Sequence, residues 1–175
     1  MRRLMLLRHA KSDWSVPGAR DQDRPLNARG REAAPKMGAY MARHGLVPDF
    51  IVASPATRVT ETLALVLPAF TKQPKTVPDA RIYETGADEL LTVIKEAPRS
   101  VHCLLLVGHN PSLAQLASLL VASGEVETRQ RLLEKFPTAA LAVIDFPVDD
   151  WSKLHPKSGR LDRFVLPKAL DSETA

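Results

Sequence analysis

Four consecutive apolar residues, Leu4-Met5-Leu6-Leu7, break off abruptly into Arg8-His9-Ala10. A short apolar run without polar alternation reads as a buried strand. Its abrupt end sets a fixed cation and an imidazole, a potential nucleophile, side by side at the mouth of a sheet. In open α/β sheets ligands bind in the crevice just beyond the carboxyl ends of the strands. What else converges on that edge therefore decides how the chain is read.

Further strand candidates are residues 50–53, 104–107, 141–146 and 163–166. Between the first two strands, Ala33, Ala34, Met37, Met41 and His44 recur at helical spacing, with Gly45 as a natural stop. Pro35 inside this stretch predicts a helix that starts near it or is kinked there. A second helix carries Val59, Leu63, Val66, Leu67 and Phe70 on one face, with an end distorted at Pro68. A third covers residues 88–97 and a fourth 111–122, while 71–78 reads as a surface loop. Strand and helix alternate, which argues for a largely parallel sheet covered on both faces. The expected architecture is a single-domain three-layer α/β/α sandwich over residues 1–170, its mostly parallel sheet ending in an antiparallel edge strand. Residues 171–175 read as a frayed tail.

The 175-residue chain is long enough for one domain with a real core, and its composition is that of an ordinary globular protein. No segment approaches the ~20 apolar residues of a membrane span. The apolar run behind Arg2-Arg3 is too short for the core of a signal peptide. The single cysteine, Cys103, excludes an internal disulfide, fits a reducing compartment and reads as a small core residue. A cytoplasmic location is expected. Residues 1–31 hold eight Lys/Arg against three Asp, a surplus of five in a chain whose net charge is +4. The positive charge thus gathers around Arg8-His9 and favours an anionic ligand. Trp14 is the one aromatic there, so the stacking platform of a nucleic-acid binder is lacking. A localised anion site is the better reading, with neither nucleic acid nor membrane as partner.

Two more strand ends supply chemistry. The second runs into Ser54-Pro55-Ala56-Thr57-Arg58, where Ser54 suits a helix cap, Pro55 the first helical position, and Arg58 the first turn. Another ends in Gly108-His109-Asn110-Pro111, where Asn110 would cap and Gly108 leaves room for close approach. Arg8, His9, Arg58 and His109 are thereby delivered to one sheet edge beside two helix N-termini, which favour phosphate. Each of these residues alone has a structural explanation; their joint placement is the signal. His44, His102 and His155 read as surface or core residues. No HExxH, CxxC, P-loop, dinucleotide or GxSxG pattern occurs, and neither a metal nor a cofactor is expected.

These motifs in this order resemble the histidine phosphatase superfamily, which includes the cofactor-dependent phosphoglycerate mutases. The likeness runs over roughly residues 2–167. The small size, Asp23-Arg24-Pro25-Leu26-Asn27-x-x-Gly30 and Gly108-His109-Asn110-Pro111 resemble the SixA-type phosphohistidine phosphatases within it. The resemblance implies that His9 attacks phosphorus and forms a covalent phosphohistidine, with Arg8, Arg58 and His109 binding the phosphoryl oxygens. Arg24 is a further candidate phosphate contact. Many relatives place a glutamate acid between the Arg58 and His109 motifs, and Glu84 is the nearest candidate. The implied substrate is a phosphorylated protein histidine, for instance on a phosphorelay domain. Alternatives are a broad-specificity small-molecule phosphomonoesterase of the same fold and a non-catalytic anion or nucleic-acid binding module.

Overall fold

The apolar run becomes the middle of a seven-stranded sheet in the computed structural model, which describes residues 1–173. In chain order the elements are β1 (Arg2–Arg8), α1 (Ala28–Arg43), β2 (Phe50–Ala53), α2 (Thr57–Val66), β3 (Lys75–Pro78), α3 (Ala87–Lys95) and β4 (Cys103–Gly108). There follow α4 (Ser112–Leu120), β5 (Val121–Gly124), α5 (Val126–Glu134), β6 (Leu141–Phe146), β7 (Gly159–Val165) and α6 (Leu170–Glu173). The strand order is β3-β2-β4-β1-β6-β7-β5. β1, β2, β3 and β4 are mutually parallel, and β6 is antiparallel to both β1 and β7.

Burial explains why β1 reads as an uninterrupted apolar run. Leu4 and Leu6 face a core shared with Leu90, Ile94, Leu113, Leu116 and Trp151, on the side of α3 and α4. Met5 and Leu7 face the opposite core, with Met37, Met41, Val59 and Leu63 of α1 and α2. All four β1 residues are fully buried. Removing most of one such side chain costs about 2–5 kcal/mol. The three-layer α/β/α arrangement expected from the alternation is therefore the observed one.

Several elements differ from the sequence reading in instructive ways. The reversed strand, β6, lies inside the sheet between β1 and β7 rather than at its edge. Residues 71–78, read as loop, contain the edge strand β3, whose mostly exposed KTVP sequence carries no apolar signature. The fourth helix stops at Leu120, and Val121 and Ala122 belong to β5 instead. α1 runs straight past Pro35 from its N-cap Asn27, whose side chain accepts the Gly30 N–H. Residues 171–173, read as tail, lie within α6; 174 and 175 fall outside the described residues. No helix among the described residues is long and apolar enough to cross a membrane.

Register positions the candidate site. Arg8 stands opposite Gly108 between β1 and β4, and Val107 is level with Leu7 on one side and Ala53 on the other. His9, Ser54 and His109 are thus the next residues beyond three strands that end side by side. Gly30 holds the segment after β1 down: a Cβ there would lie 2.2 Å from the Lys11 carbonyl oxygen.

Candidate active site

Arg8, His9, Arg58 and His109 line one cleft of about 420 Å³, together with Lys11, Ser12, Trp14, Asp21, Arg24, Asn110 and Thr138. The His9 and His109 rings are 5.3 Å apart, centroid to centroid. His9 is buried, and its amide donates to the Gly108 carbonyl. Nδ1 of His9 lies 2.7 Å from the Ala10 carbonyl oxygen. A carbonyl can only accept, so Nδ1 carries the hydrogen and Nε2 keeps its lone pair. Burial, reinforced by the charges of Arg8 and Arg58, pushes the ring down to about 3, so it is neutral at physiological pH. A neutral imidazole with a free Nε2 is a competent nucleophile.

The Ala10 carbonyl that orients His9 belongs to a residue tied to α2. The Thr62 hydroxyl accepts the Ala10 N–H at 2.9 Å and donates to the Arg58 carbonyl at 2.7 Å. One hydroxyl thereby locks the segment after His9 to the turn that carries Arg58. Opposite, Arg8 Nη1 donates to the Phe136 carbonyl, which also accepts from Asn110. The adjoining Ala139, at φ 61°, donates to the carbonyls of Arg8 and His9.

Ser54 has a task the motif reading did not foresee. α2 begins at Thr57 with Ala56 as its N-cap, so Ser54 lies ahead of the cap. Its hydroxyl accepts the Ala56 N–H and sits 2.7 Å from Nε2 of His109. A hydroxyl that has accepted one hydrogen keeps both a hydrogen to give and a lone pair, so the neutral ring carries its own hydrogen on Nδ1 where Ser54 donates and on Nε2 where Ser54 accepts. Burial, with Arg58 next in effect, lowers His109 to about 4, so it too is neutral. Its Nδ1, Arg8 Nε and Arg58 Nε are buried without a hydrogen-bond partner. Only one other side-chain nitrogen or oxygen among the described residues, Arg2 Nε, shares that condition. Burial and the nearby charge of Arg58 disfavour the protonated form of Arg8. Orphaned donors beside crowded like charges make a site that an anion completes.

Arg24 enters the cleft, but its donors are engaged: Nη1 to the Ser12 hydroxyl at 2.7 Å and Nε to Asp21 Oδ1 at 3.1 Å. Its guanidinium also lies 3.3 Å from the centroid of Trp14, which is 76% exposed. Glu84 is exposed, is not among the residues lining the cleft, and adopts a left-handed φ of 51°. Its neighbour Tyr83 packs against His109 and donates its hydroxyl to Asp21 Oδ2. Asp21 and Tyr83 were missed because their partners lie up to 62 residues away and no local spacing links them. Asp21, held down to about 2 chiefly by the Tyr83 hydrogen bond, stays ionised. Asp21 is the one carboxylate among the described residues lining the cleft, and it is held ionised.

Comparison with known proteins shows the family and the fold. The sequence profile of the histidine phosphatase superfamily, branch 1, matches residues 4–101. An uncharacterized protein of Mycobacterium tuberculosis is 30% identical over 93% of this chain and the whole of that one. A solved structure named as a phosphohistidine phosphatase SixA, from Agrobacterium tumefaciens, is similar with a TM-score of 0.81 and 31% identity. It covers 95% of this chain and 98% of its own. SixA complexed with tungstate shares the fold, with a TM-score of 0.73 at 20% identity over 96% of this chain and 99% of its own.

Proposed function

The chain belongs to the histidine phosphatase superfamily, and we propose that it is a phosphohistidine phosphatase acting on a phosphorylated protein histidine. The observation that carries the reading is the neutral His9, its Nε2 lone pair free and its ring among the cations Arg8 and Arg58. In the first step Nε2 attacks phosphorus of a phosphohistidine protonated on its other ring nitrogen, the P–N bond breaks, neutral imidazole leaves, and the phosphoryl group becomes bonded to His9. In the second, water attacks the same phosphorus, releasing inorganic phosphate and restoring neutral His9. With the Ser54 hydroxyl donating to Nε2, Nδ1–H of His109 joins Arg8 and Arg58 as a donor for the phosphoryl oxygens, over which the transition-state charge is spread.

The choice of substrate class rests on the missing acid. With Glu84 outside the cleft and Asp21 ionised, an alkoxide leaving group would depart without protonic help. An imidazole needs less. The exposed Trp14 at the rim, stacked on Arg24, is the kind of aromatic anchor that suits a protein surface.

The test compares a phosphohistidine-bearing protein with an alkyl phosphomonoester, 2-glycerophosphate, using wild type, His9→Ala and Glu84→Gln. We expect phosphohistidine to be much the better substrate, His9→Ala to abolish turnover of both, and Glu84→Gln to leave phosphohistidine hydrolysis unchanged. An alkaline quench should trap phosphate on His9. Undiminished turnover in His9→Ala overturns the covalent path, and faster ester hydrolysis favours the phosphomonoesterase reading.

A further inference from the structure

Asp21 is the most connected side chain at the cleft that the chemistry above does not use. Arg58 grips it end-on: Nη1 donates to the Asp21 carbonyl at 2.8 Å and Nη2 to carboxylate Oδ2 at 3.2 Å. Oδ2 also takes the Tyr83 hydroxyl, and Oδ1 takes Arg24 Nε at 3.1 Å. A guanidinium presents two forked edges, the Nη1/Nη2 end and the Nε/Nη2 side. The first is occupied by Asp21. On the second, Nε is buried without a partner, and Nη2 has a second hydrogen.

Resting on the phosphoryl-transfer reading of this cleft, we propose that Asp21 is a positioning residue for the reaction. Its carbonyl and carboxylate hold Arg58 by the terminal edge, so that the Nε edge meets the phosphoryl oxygens. Tyr83 is the strut. Its hydroxyl fixes Oδ2, its ring edge packs on His109 with centroids 5.4 Å apart, and the Arg58 guanidinium lies 6.0 Å from the ring centroid. Phosphoryl transfer depends on alignment as well as charge, and an unanchored arginine supplies only charge. Asp21 does not act as the proton donor, since it stays ionised.

The opposing idea is that the Asp21 carboxylate merely competes with phosphate for Arg58. The two differ in sign. If Asp21 positions Arg58, its loss lowers kcat while ground-state anion binding holds steady or tightens, because a negative charge has left the cleft. If it competes, its loss lowers KM without lowering kcat. The Asp21 side chain is 44% exposed, so its ion pairs are screened and its removal should barely alter the thermal midpoint.

The experiment measures Asp21→Ala, Asp21→Glu and Tyr83→Phe in the full chain, with orthovanadate as transition-state mimic and inorganic phosphate as ground-state probe. For Asp21→Ala we expect kcat and vanadate affinity to fall together by about 10- to 100-fold. The phosphate inhibition constant should stay the same or tighten, Asp21→Glu should recover part of kcat, and Tyr83→Phe should show a smaller loss of the same kind. Unchanged or raised kcat overturns the proposal. So does an equal loss of vanadate and phosphate binding with a lowered thermal midpoint, the mark of a purely structural role. Failure of the phosphatase reading itself would appear separately, as turnover surviving in His9→Ala.

Discussion

The Ser54 hydroxyl lies 2.7 Å from Nε2 of His109 while accepting the Ala56 N–H, so the start of α2 reaches one ring nitrogen of a histidine beyond β4. Where that hydroxyl donates to Nε2, as the proposed phosphate contact of Nδ1–H requires, Ser54→Ala leaves both tautomers open to the ring. A neutral hydrogen bond of this kind contributes about 1 kcal/mol, so kcat/KM should fall roughly five- to tenfold. Nitrogen-15 shifts of the His109 ring should move from a single tautomer toward a mixture. Unaltered shifts would show that something other than Ser54 sets the proton.

Arg58→Lys tests geometry against charge. Lysine keeps the cation but has one ammonium where arginine has two forked edges, so it cannot hold Asp21 and a phosphoryl oxygen at once. We expect kcat/KM to drop by about 10²- to 10³-fold with an essentially unchanged thermal midpoint. A loss under threefold would mean that positive charge alone suffices there.

Acid sensitivity follows from the two buried rings. An unfolded histidine titrates near 6.5, whereas His9 is lowered to about 3 and His109 to about 4. Between these values the unfolded chain binds more protons than the folded one, so stability is complete above about 6.5 and declines as pH falls toward 4. Denaturant midpoints measured from pH 7.5 to 4.5 should show this decline, and His109→Asn should flatten it. An identical slope in the variant would assign the proton uptake elsewhere.

Gly30→Ala should be costly although it adds one methyl group. The new Cβ would lie 2.2 Å from the Lys11 carbonyl oxygen, which also accepts the Asn27 N–H. Displacing that backbone costs about 1–3 kcal/mol, or several degrees of thermal midpoint for a chain of this size. Activity should suffer as well, because the displaced segment joins His9 to Asp21. A variant with wild-type melting would mean that the segment yields more easily than its packing implies.

Legibility in the sequence tracked burial. β1, β2, β4 and β6 stand out because each is an apolar run covered by helices on both faces. β3 does not: an exposed edge strand needs no apolar residues. α5 went unread because only Thr128 and Leu132 are buried along it, too sparse a stripe to register. β5 was absorbed into the preceding helix, since Val121 and Ala122 extend that helix's apolar run. At the cleft, Arg8, His9, Arg58 and His109 were readable because they directly follow or end recognisable strands and turns. Glu84 lies in the stretch of chain where an acid is expected, yet it is exposed at positive φ while its neighbour Tyr83 contacts His109 and Asp21. Asp21 sits in a short 3-10 turn, and only tertiary contact gives it meaning.

β1 is paired along nearly its whole length, to β4 on one side and β6 on the other, whereas residues 11–24 form one isolated bridge, Ser12–Leu26, and are otherwise held by separate contacts such as Asn27 N–H to the Lys11 carbonyl and Arg58 to Asp21. Amide hydrogen exchange should therefore divide the cleft in two. His9 and the residues before it should exchange only through global opening, and the segment carrying Trp14, Asp21 and Arg24 through local excursions of much lower free energy. The proposed nucleophile is thus set at the end of a strand paired on both sides, and Trp14, Asp21 and Arg24 on a segment with one isolated bridge. On that proposal, substitutions in the segment would alter which phosphorylated molecule is admitted while the imidazole of His9 keeps its footing, an arrangement that leaves substrate preference free to evolve.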